Sequence, residues 1–186
     1  MPTFHEVAFD GGRNLLNIFY GSGAAENYKA VIRQPLGVEF EPGVPVDVGG
    51  FRRFRIVNDL QYDLGPSFSL LALLLYQRLG NSQPVNNQLN WFSAGIRPVY
   101  HFSRYFSLVG KFGLDYTSRD DEAGTLVKFT IAPQISPLNK ILSRPALRAY
   151  FTYARWSDAW KGQVAAGSFP DQNHGISAGL QMEVWW

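Results

Sequence analysis

The chain has 186 residues and a net charge of +2, its basic residues scattered rather than clustered. That length supports one domain with a core, and the scattered charge excludes a nucleic-acid footprint or a polybasic membrane anchor. The absence of cysteine excludes disulfide frameworks, thiolate zinc sites and thiol nucleophiles, and suits a protein that crosses an oxidising compartment unfolded.

The opening MPTFHEVAFDGG has neither a basic n-region nor an apolar h-region, so it is not a signal peptide. Segments 3–9 and 14–20 read as strands of ambiguous phase. The stretch 21–50, rich in Gly, Pro and Val, is expected as a long external loop that either folds back over a pore or stays on the surface. Beyond it, Phe54, Ile56, Leu60 and Tyr62 face away from Arg55, Asp59, Gln61 and Asp63. No segment approaches the run of about 20 apolar residues that a spanning helix needs. The nearest is LLALLLY at 70–76, a misfit because both faces of a strand there are apolar. A buried helix is one account. Burial of both faces by a plug, a loop or a neighbouring subunit is the preferred one.

From residue 92 onward the alternation is regular. Phe92, Ala94, Ile96, Pro98, Tyr100 and Phe102 oppose Ser93, Gly95, Arg97, Val99 and His101. Phe106, Leu108, Phe112 and Leu114 oppose Ser107, Lys111 and Asp115. Thr125, Val127, Phe129 and Ile131 oppose Lys128 and Thr130, and Leu147, Phe151 and Tyr153 oppose Arg148, Tyr150 and Thr152. The closing GISAGLQMEVWW puts Ile176, Ala178, Leu180, Met182, Val184 and Trp186 on one face and Glu183 and Trp185 on the other. A period of two predicts strands with one oily and one wet face.

Several strands reach about ten residues, the length that crosses a bilayer at a tilt, and aromatics such as Phe102, Tyr105, Phe106 and Tyr116 fall near their ends. Connections at 64–67 and 102–106 are short, whereas 80–90, 117–124 and 157–174 are expected to be longer, so short and long alternate. The segment 136–144 falls in the short series but is somewhat long. In a membrane, only closed barrels satisfy every backbone group of such strands. The fold class is therefore all-β, with antiparallel transmembrane β-barrel strands in one segment, 1–186. A soluble β-sandwich or lipocalin-like barrel that binds a ligand also alternates, and remains the alternative.

If the wet face lines a lumen, Arg97, Lys111, Lys128, Arg148 and Glu183 form a polar track along it, or simply a solvated wall. No cofactor or metal is expected, and no enzyme activity. Of the three histidines, only His101 faces inward on a convincing strand, with Ser107 as a neighbour. A lone lumen histidine is far more often structural, and the chain has no HExxH, phosphate loop or nucleophile elbow.

NWFSAGIRPVYHF, SRPALRAYFTYARWSDAWKG and the terminal GLQMEVWW closely resemble, in order, the C-terminal half of the maltoporin-like sugar porins of bacterial outer membranes. The resemblance runs from about residue 51 to 186. It implies part of a barrel of about eighteen strands, facilitated diffusion of maltodextrin-like oligosaccharides, a homotrimer when full length, and a bacterial outer-membrane location. The solute partners are oligosaccharides and the surroundings a lipid bilayer. By the resemblance Trp185 is a sugar-stacking residue near the periplasmic exit, although packing inside the barrel mouth is its plainer role. Tyr150 and Trp156 share the inner phase and extend the stacking surface. Trp186 matches the terminal aromatic read by the barrel-assembly machinery. Near Leu142 these porins are expected to carry an aromatic, and this chain does not. About nine strands without an export signal read as a C-terminal fragment, which a truncated, non-functional product would also explain.

Overall fold

The computed structural model of the protein describes residues 3–23, 50–80, 88–119, 122–165 and 167–184. Nine strands follow in chain order: β1 (Thr3–Phe9), β2 (Gly12–Ser22), β3 (Arg52–Leu64), β4 (Phe68–Gly80), β5 (Leu89–His101), β6 (Phe106–Arg119), β7 (Glu122–Ile135), β8 (Ala146–Trp156) and β9 (His174–Glu183). A 3-10 turn, Asp158–Trp160, interrupts the connection between β8 and β9. Every strand pairs antiparallel with its neighbours in sequence, giving one nine-stranded meander. Among the described residues β1 and β9 each pair on one side only.

The turns explain the register. Phe9 pairs with Gly12, so Asp10 and Gly11 form a two-residue hairpin loop, the Asp-Gly signal for a tight turn. Gly11 sits at φ 77°, and a Cβ there would lie 2.7 Å from the Asp63 carbonyl, so only glycine fits. Once this register is set, each side chain is committed to a face, because a slip by one residue would invert them all.

The two faces differ as the alternation predicts. Phe112, Phe129 and Tyr153 are cross-strand neighbours in one row, and the first two remain 47% and 48% exposed. Leu180 on β9 is 80% exposed. On the opposite face Ser69, Ser107, Gln134 and Arg148 are buried among Val99, Val109 and Ala132. A soluble sandwich would bury the oily rows and expose the polar ones, and this sheet does the reverse. At one end of the oily face the rings of Tyr100, Phe102 and Phe106 form a chain with centroid separations of 4.9 and 5.6 Å. The Arg104 guanidinium lies over Tyr105 beside them. Amphipathic aromatics gathered at strand ends suit a membrane–water boundary.

One expectation changes and two open readings are decided. The segment 117–124 is not a long loop: the ladder continues through Thr117–Gly124 and Ser118–Ala123 to Arg119–Glu122. Its small polar residues read as a loop, but the backbone pairing of β6 with β7 overrides that reading. The phase of the first strands is also settled. Val7, Phe9, Leu16, Ile18 and Tyr20 share the oily face with Ile56 and Leu60, and their phase was ambiguous because β2 carries adjacent apolar pairs at Leu15–Leu16 and Ile18–Phe19. Asn14 and Asn58 interrupt this oily face, and they satisfy one another through reciprocal amide hydrogen bonds of 3.0 and 2.9 Å.

The misfit strand, β4, is a strand and not a helix. Leu71, on its polar-face side, packs with Tyr150 against a cluster of Val99, Val109, Ala132 and Ile141. Ile141 comes from the connection between β7 and β8, so that connection covers part of the second apolar face. Of the loop 21–50, residues 24–49 lie outside the described residues, as do Trp185 and Trp186.

Candidate functional site

The polar face is organised by the β7–β8 connection, which folds back across it instead of turning tightly. Ser136, Leu138 and Ser143 close this segment on itself: Ser136 Oγ donates to the Leu138 carbonyl at 3.1 Å, and the Leu138 N–H donates to Ser143 Oγ at 2.9 Å. Its tip reaches past β6, β5 and β4. There Asn139 Nδ2 donates to the Pro66 carbonyl at 2.6 Å and the Ile141 N–H donates to Asp63 Oδ1 at 3.0 Å. Lys140 adds its charge, with Nζ 3.8 Å from Asp63 Oδ2. Ile141 is buried, while Leu142 beside it is 44% exposed.

Asp63 in turn begins a chain of hydroxyl and imidazole groups. Ser69 Oγ donates to Asp63 Oδ1 and lies 2.9 Å from His101 Nε2, and His101 Nδ1 lies 2.7 Å from Ser107 Oγ. Both imidazole nitrogens are therefore occupied, and His101 and both serines are buried. A general base needs access to a substrate proton. Here the triad-like set ties β3, β4, β5 and β6 together.

On the far side, Arg148 is almost fully buried, donating from Nε to Gln134 Oε1 and from Nη1 to Glu183 Oε2, both at 2.6 Å. Arg144 binds the other oxygen of Glu183. Glu183 thus bridges β9 to β8 and to the inward connection, which leaves it little capacity for a solute. Arg97 and Lys111 face the polar side between the Ile96–Phe112 and Val99–Val109 pairs of β5 and β6. Lys111 pairs with Thr130, whose hydroxyl lies 2.7 Å from that of Thr152. Lys128 is exposed two residues before Thr130 on β7.

The aromatics divide. Tyr150 pairs with Gly179, its ring over that glycine, and stays partly exposed. Trp156 is only 3% exposed and packs against Phe169 at 6.0 Å, so its ring offers no free face. Two other tryptophans occupy the polar face at the same end as Trp156, away from Glu183. Trp91 on β5 donates from Nε1 to Asp115 Oδ1 at 3.0 Å, and with Leu89, Asp115, Thr117 and Trp160 it lines one cavity. Trp160 reaches this cavity because Gly124 leaves room for it: a Cβ there would overlap the indole. Trp91 shares the phase of Arg97, which its sequence position showed. Trp160 comes from the β8–β9 connection, and its placement depends on backbone pairing that periodicity does not report. At the base of that connection a hydrogen bond from Lys161 holds the Asp158 carboxyl below its ordinary range.

An antiparallel meander with an oily outer face and a hydrogen-bonded, cationic and aromatic inner face defines the wall of a β-barrel channel. The model of the LamB porin family matches residues 2–186, and the chain belongs to that family. It is a family of channels rather than of enzymes. Membership supports a porin role in sugar diffusion and implies an outer-membrane setting.

Proposed function

We propose that the protein mediates facilitated diffusion of maltodextrin-like oligosaccharides across the bacterial outer membrane. The observation that carries this reading is the pairing of aromatic rings with polar groups on the inner face. Trp91 and Trp160 line one cavity with Asp115 and Thr117, and Tyr150 lies nearer the other end beside Thr152. Sugar rings present weakly apolar faces that stack on aromatics, and hydroxyls that exchange hydrogen bonds with carboxylates, amides and cations. Repeated weak contacts let a solute enter and leave.

In this reading Trp185 extends the stacking surface toward the exit. Arg97, Lys111 and Lys128 serve as the polar track, while Arg148 and Glu183 brace the wall behind them. Trp156 contributes packing rather than stacking. In this reading the porin assembles as a homotrimer, and Trp186 is the signal read by the barrel-assembly machinery. The test is solute block of ionic current through the protein in planar bilayers. Maltotriose is expected to interrupt the current in a concentration-dependent way, and a conducting channel indifferent to maltotriose would refute the sugar assignment.

A further inference from the structure

We infer that the inner wall between β5 and β9 selects for negatively charged solutes, namely sugars that carry a carboxylate, sulfate or phosphate group. The inference rests on the porin reading and extends its solutes from neutral maltodextrins to charged sugars, which the wall prefers.

Five cationic side chains share this stretch of wall: Arg97, Lys111, Lys128, Arg144 and Arg148. The field at Arg97 includes Arg144 and Arg148, and the field at Lys111 includes Arg97, Lys128 and Arg148. One carboxylate, Glu183, acts on both. It is already bound by Arg144 and Arg148 on its two oxygens. Asp115 and Asp63 keep their charge while accepting from the Trp91 indole and from Ser69 and Ile141, but neither enters the field at Arg97 or Lys111. Around Arg97 and Lys111 the cations therefore outnumber the one carboxylate that acts on them.

Hydrogen bonding points the same way. Arg97 has its Nε and Nη2 buried without a partner among the described residues. Arg148, with 2% of its surface exposed, keeps Nη2 unpartnered too. A guanidinium without a carboxylate partner, as at Arg97, is unfavourable by itself, and an anionic group arriving from the lumen relieves that cost by charge-assisted hydrogen bonding. Neutral hydroxyls donate and accept and would be served equally by carboxylates or amides, so they do not call for this excess. Rings of Arg and Lys are the usual basis of anion preference in pores, and low-dielectric walls extend their reach.

The experiment uses the protein extracted from outer membranes in its native assembly and inserted in planar bilayers. Under a KCl gradient the reversal potential is expected to have the sign of anion permeation. Trigalacturonate is expected to block current at about tenfold lower concentration than maltotriose, with the difference shrinking in high salt. The double variant Arg97→Gln, Lys111→Gln should lose the anion preference, and Arg97→Lys should keep it. Wild-type salt dependence supplies the answer if the double variant fails to assemble. Cation preference or equal block by the two trisaccharides overturns the inference while leaving the porin intact. Absence of any channel overturns both.

Discussion

Asp63 and Ile141 are joined across the inner face by a hydrogen bond of 3.0 Å, although they stand 78 positions apart in the chain. The same carboxylate accepts from Ser69 and faces Lys140, so one side chain fastens the inward connection to the opposite part of the wall. Removing it leaves a buried N–H and hydroxyl without their acceptor, at a cost of about 1–3 kcal/mol.

Asp63→Ala is therefore expected to release the 136–144 connection and widen the passage. Single-channel conductance should rise, and the temperature at which the compact gel band converts to the slow one should fall. Unchanged conductance would show that this connection does not narrow the path.

Lys128 and Phe129 are chain neighbours on opposite faces, which makes them a direct test of sidedness. Phe129→Arg places a charge on the oily surface and should destabilise the folded protein by about 2–4 kcal/mol in lipid. Lys128→Gln should cost no more than about 0.5 kcal/mol. Urea unfolding in lipid vesicles, followed by tryptophan fluorescence, measures both. Equal costs would mean the faces are assigned wrongly.

Gly124 makes room for Trp160. Gly124→Val adds a branched side chain where the indole lies, displacing it from the cavity it shares with Trp91. Maltotriose block should weaken several-fold, while the heat-modifiable gel shift persists because β7 keeps its backbone pairing. A block of wild-type strength would take Trp160 out of the sugar path.

On the proposed role of Trp185 as a stacking ring, Trp185→Ala should cost about 0.5–1.5 kcal/mol of sugar binding. The dissociation constant for maltotriose, read from current noise, should rise about threefold to tenfold. No change would assign that residue to packing in the mouth.

Much of this was legible in the residues because a strand's side-chain period is two. Lys111 against Phe112 and Lys128 against Phe129 declare their faces without any long-range information. The fastening of Asp63 was not legible, since its partners lie in a connection far along the chain and the backbone N–H of Ile141 has no sequence signature. Trp156 misled for a related reason. Its phase is inward as read, but Phe169 from the next connection covers it, and periodicity reports direction without reporting cover. Thr117 to Gly124 failed the other way: small polar residues resemble a loop, yet ladder hydrogen bonds need no particular side chain.

In an antiparallel meander the odd-numbered strands all run one way, so β1 and β9, the two outermost ribbons, point in the same direction. A seam that zipped one directly to the other would be a parallel ladder, with slanted and slightly weaker bonds. An all-antiparallel cylinder requires an odd number of ribbons in between, so parity alone separates the two ways of sealing this wall against hydrocarbon.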